Sequence, residues 1–226
     1  MRITKLSRYS AIAAIAAIAL LSGCASQQPK ADYTAFRQAK PKSILVLPPL
    51  NESPDVNASF SVLAQVTYPL AESGYYVMPV SLVNETFKQN GLVNPPEIHA
   101  AAPAKLKEIF GADAALYIKV TQYGAVYTVL NSSAVVSAQA KLVDLNTGNT
   151  LWTGSASASN NEGNNNSGGG LLGALVTAVV KQVMNHLTDS SHPVAGIASN
   201  RLLTAGGPNG LLYGPRSPNY GKEAPN

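Results

Sequence analysis

Short apolar runs and longer helical patterns alternate along the first half of the chain. The apolar run at residues 44–47 ends at Pro48 and Pro49, which is typical of a buried strand that leads into a loop. A second strand is predicted at residues 75–79. Because helical patterns follow each strand, this half predicts a layered α/β sheet with right-handed crossovers.

Three helices are predicted in this half. The first ends near Ser73, the second opens near Ser81 and ends at Asn90, and the third begins at Pro103. The residues between the second and third helices, 92–102, are predicted to form a proline-rich loop. The apolar spacing of the first helix predicts one buried face, which consists of Phe60, Leu63, Ala64, Thr67 and Leu70 or Ala71.

The second half is rich in residues that favour strands. Four segments predict an antiparallel meander: residues 114–122, 125–130, 133–144 and 150–159. Residues 146–149 form the turn of the clearest hairpin. An Asn/Gly-rich loop at 160–170 precedes an apolar helix at 171–187, which we expect to cover the sheet rather than enter a membrane. Little regular structure is expected from residue 192 onward.

These patterns together predict an α/β fold with a mixed sheet. The first strands are parallel, the later strands form an antiparallel meander, and helices cover the sheet. The predicted organisation is a signal peptide at 1–23, a flexible tether at 24–42, the α/β domain at 43–190 and a Gly/Pro/Asn-rich tail at 191–226. The mature length suits one domain of ordinary size.

The N-terminus has the pattern of an export signal. Arg2, Lys5 and Arg8 precede an apolar run at residues 11–21, which is too short to span a membrane. The residues that follow, Leu21, Ser22, Gly23 and Cys24, resemble the lipobox of bacterial lipoproteins. That resemblance implies cleavage before Cys24, a diacylglyceryl group on its thiol and a third acyl chain on its amine. Several chains together give stable anchoring to a membrane.

Cysteine content and charge further limit the classes of protein to which this chain can belong. Cys24 is the only cysteine, so neither an intramolecular disulfide nor a cysteine metal site is predicted. An ordinary cleaved signal peptide with a chance cysteine is the alternative, and it predicts a free thiol on a protein without an anchor. Of the formal net charge of +4, the signal peptide contributes three charges. The mature chain is nearly neutral and has no basic patch that favours nucleic acid.

Two further features resemble those of known envelope lipoproteins. They are the residues directly after Cys24 and three internal motifs. Ala25 and Ser26 follow Cys24 without an aspartate, which by resemblance to enteric sorting rules favours the outer membrane. The internal motifs are the opening strand 44–49 with its Asn-Glu-Ser loop, the Gly-Ala-Asp-Ala entry at 111–114, and the hairpin 142–152. They resemble the N-terminal domain of the Tol translocation protein B and the curli secretion lipoprotein. With the lipobox and the late Asn/Gly loop, the chain resembles more closely a family of predicted outer-membrane lipoproteins that includes a genome-derived neisserial antigen.

No catalytic pattern, metal site or cofactor site is predicted. His99, His186 and His192 stand in contexts where structural roles are expected, and no nucleophile elbow or phosphate loop occurs. Asp113 is expected to bond backbone N–H groups in a helix-to-strand turn. Tyr117, Tyr123 and Tyr127 could form a recognition stripe, although half-buried sheet positions are the simpler interpretation.

One loop remains as a candidate ligand or partner site. Asn51, Glu52 and Asp55 lie beyond the end of the first strand, the edge where open α/β sheets bind ligands. Our leading hypothesis is a non-enzymatic lipoprotein, held at the outer membrane with its domain in the periplasm, that binds envelope proteins as an accessory to a curli-pore-like secretion complex. The alternative is a ligand-binding or hydrolytic envelope protein that uses the loop from Asn51 to Asp55.

Overall fold

This computed structural model describes residues 31–127, 132–162 and 191–222, and the helices and strands below lie in these ranges. The helices are α1 (Thr34–Ala39), α2 (Ala58–Glu72), α3 (Val80–Gln89), α4 (Pro95–His99), α5 (Pro103–Phe110) and α6 (Ser191–Leu203). The strands are β1 (Ser43–Val46), β2 (Leu50–Asn51), β3 (Tyr76–Val77), β4 (Ala114–Tyr127), β5 (Ser132–Asp144) and β6 (Thr150–Ser159).

The strands form one mixed sheet in the order β3-β1-β4-β5-β6, with β2 paired to β4 beyond the end of β1. Strand β1 lies parallel to both β3 and β4, whereas β4, β5 and β6 are antiparallel. Pro48 and Pro49 separate β1 from β2 because proline cannot donate to a ladder. The predicted fold class, parallel first strands with an antiparallel meander, is confirmed.

Side chains on the two faces of the sheet enter two separate hydrophobic clusters. In β1, Ile44 and Val46 enter the cluster that α1, α2 and α6 cover, while Leu45 enters the cluster under α3, α4 and α5. This alternation follows from the two-residue period of a strand. A strand that is buried on both faces has no polar position, which explains the continuous apolar run at residues 44–47.

A β-bulge joins two segments that were predicted as separate strands. Strand β4 continues from Ala114 to Tyr127, with a register shift between Val120 and Gln122 where it pairs with β5. The extra residue, Thr121, lets Val120 and Tyr123 enter the same cluster although they lie three positions apart. The predicted boundary between strands at residues 122–125 was therefore wrong.

The hairpin between β5 and β6 is confirmed. Gly148 donates its N–H to the carbonyl of Asp144 at 2.8 Å and has a φ of +75°, a backbone conformation that favours glycine. The hydroxyl of Thr147 donates to the Asp144 carboxylate at 2.6 Å. Burial alone would raise the pKa of Asp144, but the bonds from Thr147 and Asn146 outweigh it and lower that pKa.

The buried face of α2 differs from the predicted one. Phe60 is 70 % exposed and Ala64 is also exposed. The helix buries Ala58, Ser61, Val62, Val66, Pro69 and Leu70. This face is rotated around the helix axis because α2 packs along α6, a helix that the sequence did not predict. Helical spacing alone leaves this rotation undetermined when apolar residues occupy more than one stripe.

The segment predicted as a flexible tether is partly folded. Residues from Ala31 onward pack on the domain: Tyr33 and Phe36 are 5 % and 4 % exposed and belong to the main core. The Tyr33 hydroxyl donates to the carbonyl of Gly210 at 2.5 Å. The polar composition of residues 25–42 concealed the two aromatic anchors, so the predicted tether was too long by at least the residues of α1.

The C-terminal segment also departs from the expected loose tail. Helix α6 spans Ser191–Leu203, and the chain beyond it returns to the core through Leu211 and Leu212. Small residues let α6 approach α2 closely: a Cβ on Gly196 would lie 3.3 Å from the side-chain oxygen of Gln65. The Gly, Pro and Asn content that predicted little structure instead provides turns between packed segments.

Local predictions at two helices are compared next, and two further predictions concern residues that the structure does not describe. Residues Pro95–His99 form the short helix α4 inside the predicted loop at 92–102. Helix α3 begins at Val80 after Pro79 without a side-chain cap, so Ser81 is not its N-cap. The predicted helix at 171–187 and most of the loop at 160–170 lie outside the described residues.

Candidate functional site

The three long strands present an open, polar face on the side of the sheet that carries α3, α4 and α5. Across the strands, Tyr117 pairs with Lys141, which pairs with Thr153. The next row on this face is Lys119, Gln139 and Ser155. The helices cover only part of this side, and a groove of about 730 Å³ remains. It is lined by Leu50, His99, Tyr117, Ile118, Lys119, Gln139, Ala140, Lys141, Thr153, Gly154 and Ser155.

Two lysines give the groove a positive charge. The ammonium of Lys141 lies 4.8 Å from the centre of the Tyr117 ring, a distance suited to a cation–π contact. Lys119 pairs with Glu52 at 2.8 Å, but both side chains are about half exposed, so this ion pair contributes little stability. None of the lining residues is acidic. The groove therefore offers two cations, hydroxyl groups and an amide to a ligand.

His99 forms one wall of the groove and holds the chain around it. Its Nε2 lies 2.9 Å from the carbonyl of Pro48, and its ring meets Tyr117 edge-to-face at 5.2 Å between centroids. Burial lowers the pKa of His99, and the bond to Pro48 offsets this only in part. A neutral imidazole that donates to a backbone carbonyl fixes the loop between β1 and β2. This is a structural role, as the sequence context predicted.

The predicted loop site borders this groove at one residue. Asn51 accepts the N–H of Ser53 at 2.9 Å and donates to the carbonyl of Asp55 at 2.7 Å, which closes the loop on itself. The Asp55 carboxylate accepts the N–H of Asn57 at 2.8 Å. Glu52 instead points to Lys119. The structure thus brings Glu52 to the groove and places Asn51 and Asp55 in turn-forming bonds.

Asp113 accepts backbone N–H groups, as predicted, but these groups lie at the start of β1 and not in its own helix-to-strand turn. Its carboxylate accepts the backbone N–H groups of Lys42 and Ser43 at 2.9 and 3.2 Å and the Ser43 hydroxyl at 3.1 Å. Lys107 adds an ion pair at 3.3 Å. Partial burial alone would raise the pKa of Asp113, but the bonds from Lys42, Lys107 and Ser43 outweigh it and lower that pKa.

A buried polar cluster between α2, β4 and α6 was not predicted. The Ser61 hydroxyl lies 2.7 Å from Nδ1 of His192 and accepts the Tyr123 hydroxyl at 2.9 Å. Nε2 of His192 lies 3.0 Å from the side-chain amide of Gln65. Both ring nitrogens thus contact uncharged groups, and none of the described residues places on this ring the carboxylate that orients a catalytic histidine. Its bonded members are between 62 and 131 residues apart in sequence, so no local motif could reveal it.

The tyrosines of β4 do not form a recognition stripe. Tyr117 and Tyr123 are 7 % and 3 % exposed and enter opposite clusters, whereas Tyr127 is 81 % exposed. The bulge at Thr121 accounts for this separation. The simpler interpretation, half-buried sheet positions, comes closer to the structure for Tyr117 and Tyr123, which are buried.

The described parts of the chain contain neither a cluster of metal ligands nor a helix suited to cross a membrane. Within residues 31–127, 132–162 and 191–222, we find no group of three His, Cys, Asp or Glu side chains placed to hold a metal ion. In the same ranges, every helix is too short or too polar to cross a membrane. Leu21, Ser22, Gly23 and Cys24 lie outside these ranges, so their predicted roles stay predictions.

A mixed sheet with helices on both sides and an open polar groove defines this protein as an α/β domain. Residues 31–216 match the model of the family described as "Putative lipoprotein GNA1162-like", and the chain belongs to this family. It is 55 % identical over 200 residues to the putative lipoprotein NMB1124/NMB1162 of Neisseria meningitidis serogroup B, covering 87 % of this chain and 91 % of that protein. The predicted membership of the neisserial antigen family is thereby confirmed.

Solved structures agree with the fold. The crystal structure of lipoprotein GNA1162 from Neisseria meningitidis is 59 % identical and has a TM-score of 0.53, covering 64 % of this chain and 99 % of that one. The PelC dodecamer from Paraburkholderia phytofirmans is 12 % identical and has a TM-score of 0.40, covering 78 % of this chain and 91 % of PelC. This similarity is too low to assign any property of PelC to this protein. The resemblance to Tol and curli proteins stays a prediction.

Proposed function

We propose that this protein is a non-enzymatic lipoprotein of the cell envelope that is anchored through Cys24 and binds other envelope proteins through the groove of the open sheet face. Membership of a lipoprotein family supports the anchor, and the sequence from Leu21 to Cys24 supplies the acceptor residue. Absence of aspartate after Cys24 supports the outer membrane, with the domain in the periplasm.

The observation that carries the binding role is the groove itself. Polar side chains of three neighbouring strands, Lys119, Lys141 and Ser155 among them, stand on a concave surface of about 730 Å³. Of the two lysines on this concave face, Lys119 pairs with Glu52 and Lys141 lies over the Tyr117 ring, and a lysine in such a groove suits a partner with negative charge.

The hydrogen bonds of three partly buried titratable groups support a non-enzymatic role. His99 holds a backbone carbonyl, Asp113 holds two backbone N–H groups, and His192 joins two helices through uncharged partners. A general base needs a free position next to a substrate. The bonds of Asn51 and Asp55 within their own loop likewise give no support to the hydrolytic alternative.

A place beside a curli-pore-like secretion complex is the finer form of this proposal. It is supported only by the resemblance of the motifs at 44–53, 111–114 and 142–152 to the curli secretion lipoprotein. A partner of that kind would be another envelope protein at the same membrane. The groove would then serve as the contact surface.

Photo-crosslinking in intact cells tests the binding role. A photoreactive amino acid is placed at Ser155 in the groove, and the matched control carries it at Asn200, an exposed residue of α6 on the opposite side of the sheet. We expect a defined envelope protein to be captured from Ser155 alone, and capture to decrease when Lys141→Glu is added. Equal capture from both positions would contradict the proposal, as would capture that Lys141→Glu leaves unchanged.

Lipidation is tested separately on the wild-type protein. Mass spectrometry of the purified N-terminal peptide should show acyl chains on Cys24, and Cys24→Ala should release the protein from the membrane fraction. A free thiol at Cys24 in membrane-extracted protein would refute the anchor. A released protein that still crosslinks from Ser155 would separate binding from anchoring.

A further inference from the structure

The folded domain begins close to the proposed anchor. The N–H of Ala31 donates to the side-chain oxygen of Asn209 at 2.9 Å, and Tyr33 is buried. Seven residue steps separate Cys24 from Ala31, and an extended chain of that length spans at most about 25 Å. If Cys24 is lipidated, as proposed above, the domain stays within this distance of the bilayer.

The two segments nearest the start of the domain are basic, while the rest of it is acidic. Residues 31–42 and 213–222 contain five Lys and Arg against one Asp. The other described residues contain six Lys and Arg against nine Asp and Glu. Negative membrane surfaces attract the basic end and repel the acidic remainder, so the domain should adopt a preferred orientation.

These basic residues lie together with exposed aromatic rings. Arg37, Lys40 and Tyr220 line a pocket of about 480 Å³ between α1 and the C-terminal segment. The Arg216 guanidinium lies 5.3 Å from the ring centre of Tyr76, whose N–H donates to the carbonyl of Lys42. We call this set the basic aromatic surface; it consists of Arg37, Lys40, Lys42, Tyr76, Arg216, Tyr220 and Lys222.

The composition of this surface suits a phospholipid interface. Tyr76 and Tyr220 are each 43 % exposed, and tyrosine favours the boundary between headgroups and acyl chains. Each basic residue close to an anionic bilayer strengthens attachment about fivefold. Arg37, Lys40 and Lys222 have exposed side chains that can reach headgroup phosphates without losing the packing of α1.

We propose that the basic aromatic surface binds the anionic phospholipid headgroups of the membrane that holds the anchor. The domain then lies with this surface on the bilayer and the distal end of β4 away from it. Strand β4 runs 14 residues from Ala114, next to β1, to Tyr127. At about 3.3 Å per residue, Tyr127 lies about 40 Å further from the surface.

Site-specific fluorescence can measure this orientation because an acylated Cys24 leaves an introduced cysteine as the only labelling site. Gln38→Cys places a dye on the exposed side of α1, and Tyr127→Cys places it at the distal end of β4. The lipidated full-length protein is reconstituted into phosphatidylcholine vesicles with or without phosphatidylglycerol. Both contain a lipid whose headgroup carries a nitroxide quencher.

We expect strong quenching at position 38 and little at position 127 in phosphatidylglycerol vesicles. Quenching at 38 should decrease in 1 M salt, where the Debye length is about 3 Å, and in neutral vesicles. The double variant Arg37→Glu with Lys40→Glu should lose the dependence on phosphatidylglycerol. The matched control, Lys88→Glu with Lys105→Glu on α3 and α5, should keep it.

Equal quenching at both positions would overturn the proposal, as would quenching at 38 that neither anionic lipid nor the charge reversal changes. Stronger quenching at 127 would show the opposite orientation and would overturn it as well. These outcomes differ from a failure of the anchor. Protein without acyl chains would not float with the vesicles, whereas an anchored protein without orientation floats and is quenched equally at both positions.

Discussion

Replacing Asp113 by alanine tests how the two halves of the sheet are joined. The change removes the acceptor of the Lys42 and Ser43 N–H groups, bonded at 2.9 and 3.2 Å, and of the Ser43 hydroxyl. A bond to a charged acceptor contributes about 1.5–3 kcal/mol. The Asp113 side chain is 32 % exposed, so water replaces part of this loss. We expect the free energy of unfolding to decrease by about 2–4 kcal/mol at pH 7.

The effect should depend on pH with a defined sign. The folded state holds the pKa of Asp113 below its ordinary value, so its contribution is complete above the unfolded pKa of about 3.9. It is lost as the pH falls through the lower, folded pKa. The difference in unfolding free energy between wild type and Asp113→Ala should therefore be full at pH 7 and should shrink below about pH 4.

Urea unfolding followed by circular dichroism at both pH values measures this difference. Asp113→Asn keeps one uncharged acceptor and should fall between wild type and Asp113→Ala. The control Glu85→Ala removes an exposed carboxylate of α3 and should change stability by less than about 0.5 kcal/mol. A loss below 0.5 kcal/mol for Asp113→Ala at pH 7, or an equal loss at pH 3, would refute this reasoning.

Four other substitutions test the packing of the main core by the same unfolding measurement. Gly154→Ala should destabilise by about 1–3 kcal/mol because its Cβ would lie 2.2 Å from the Trp152 ring; a neutral result would contradict that contact. Leu70→Ala should cost about 2–5 kcal/mol and Phe60→Ser almost nothing, since only Leu70 is buried; an equally large loss for Phe60→Ser would restore Phe60 to the buried face of α2. Ser61→Ala should cost about 1–3 kcal/mol by removing the hydroxyl that bonds His192 and Tyr123, and no change would show that these two bonds contribute no stability.

Local sequence signals were sufficient where one short segment contains the whole structural reason. The apolar run of β1 needs both faces buried, and the hairpin after Asp144 needs Gly148 at a positive φ. Asp113 was expected to accept backbone N–H groups, but those it bonds belong to Lys42 and Ser43, 71 and 70 residues away, so this junction was not predictable from one segment. The candidate loop was only partly predictable, because the contact of Glu52 with Lys119 depends on strand pairing.

Long-range packing decided the features that the sequence did not predict. Residues 31–42 and 191–222 are polar or rich in turn-forming residues, yet Phe36 and Leu212 enter the same core as β4. The groove exists because β4, β5 and β6 extend beyond the helices on one side of the sheet. No pattern in a single segment contains this information.

The sequence by itself determined the class of fold, the hairpin and the membership of a lipoprotein family. Each depends on hydrophobic period, turn chemistry or motif order, all of which are local. Tertiary structure alone decided which face of α2 is buried, that α1 and α6 belong to the core, and that Lys119 and Lys141 share a groove. These depend on contacts between residues far apart in the chain, and such contacts are fixed only when the whole core packs.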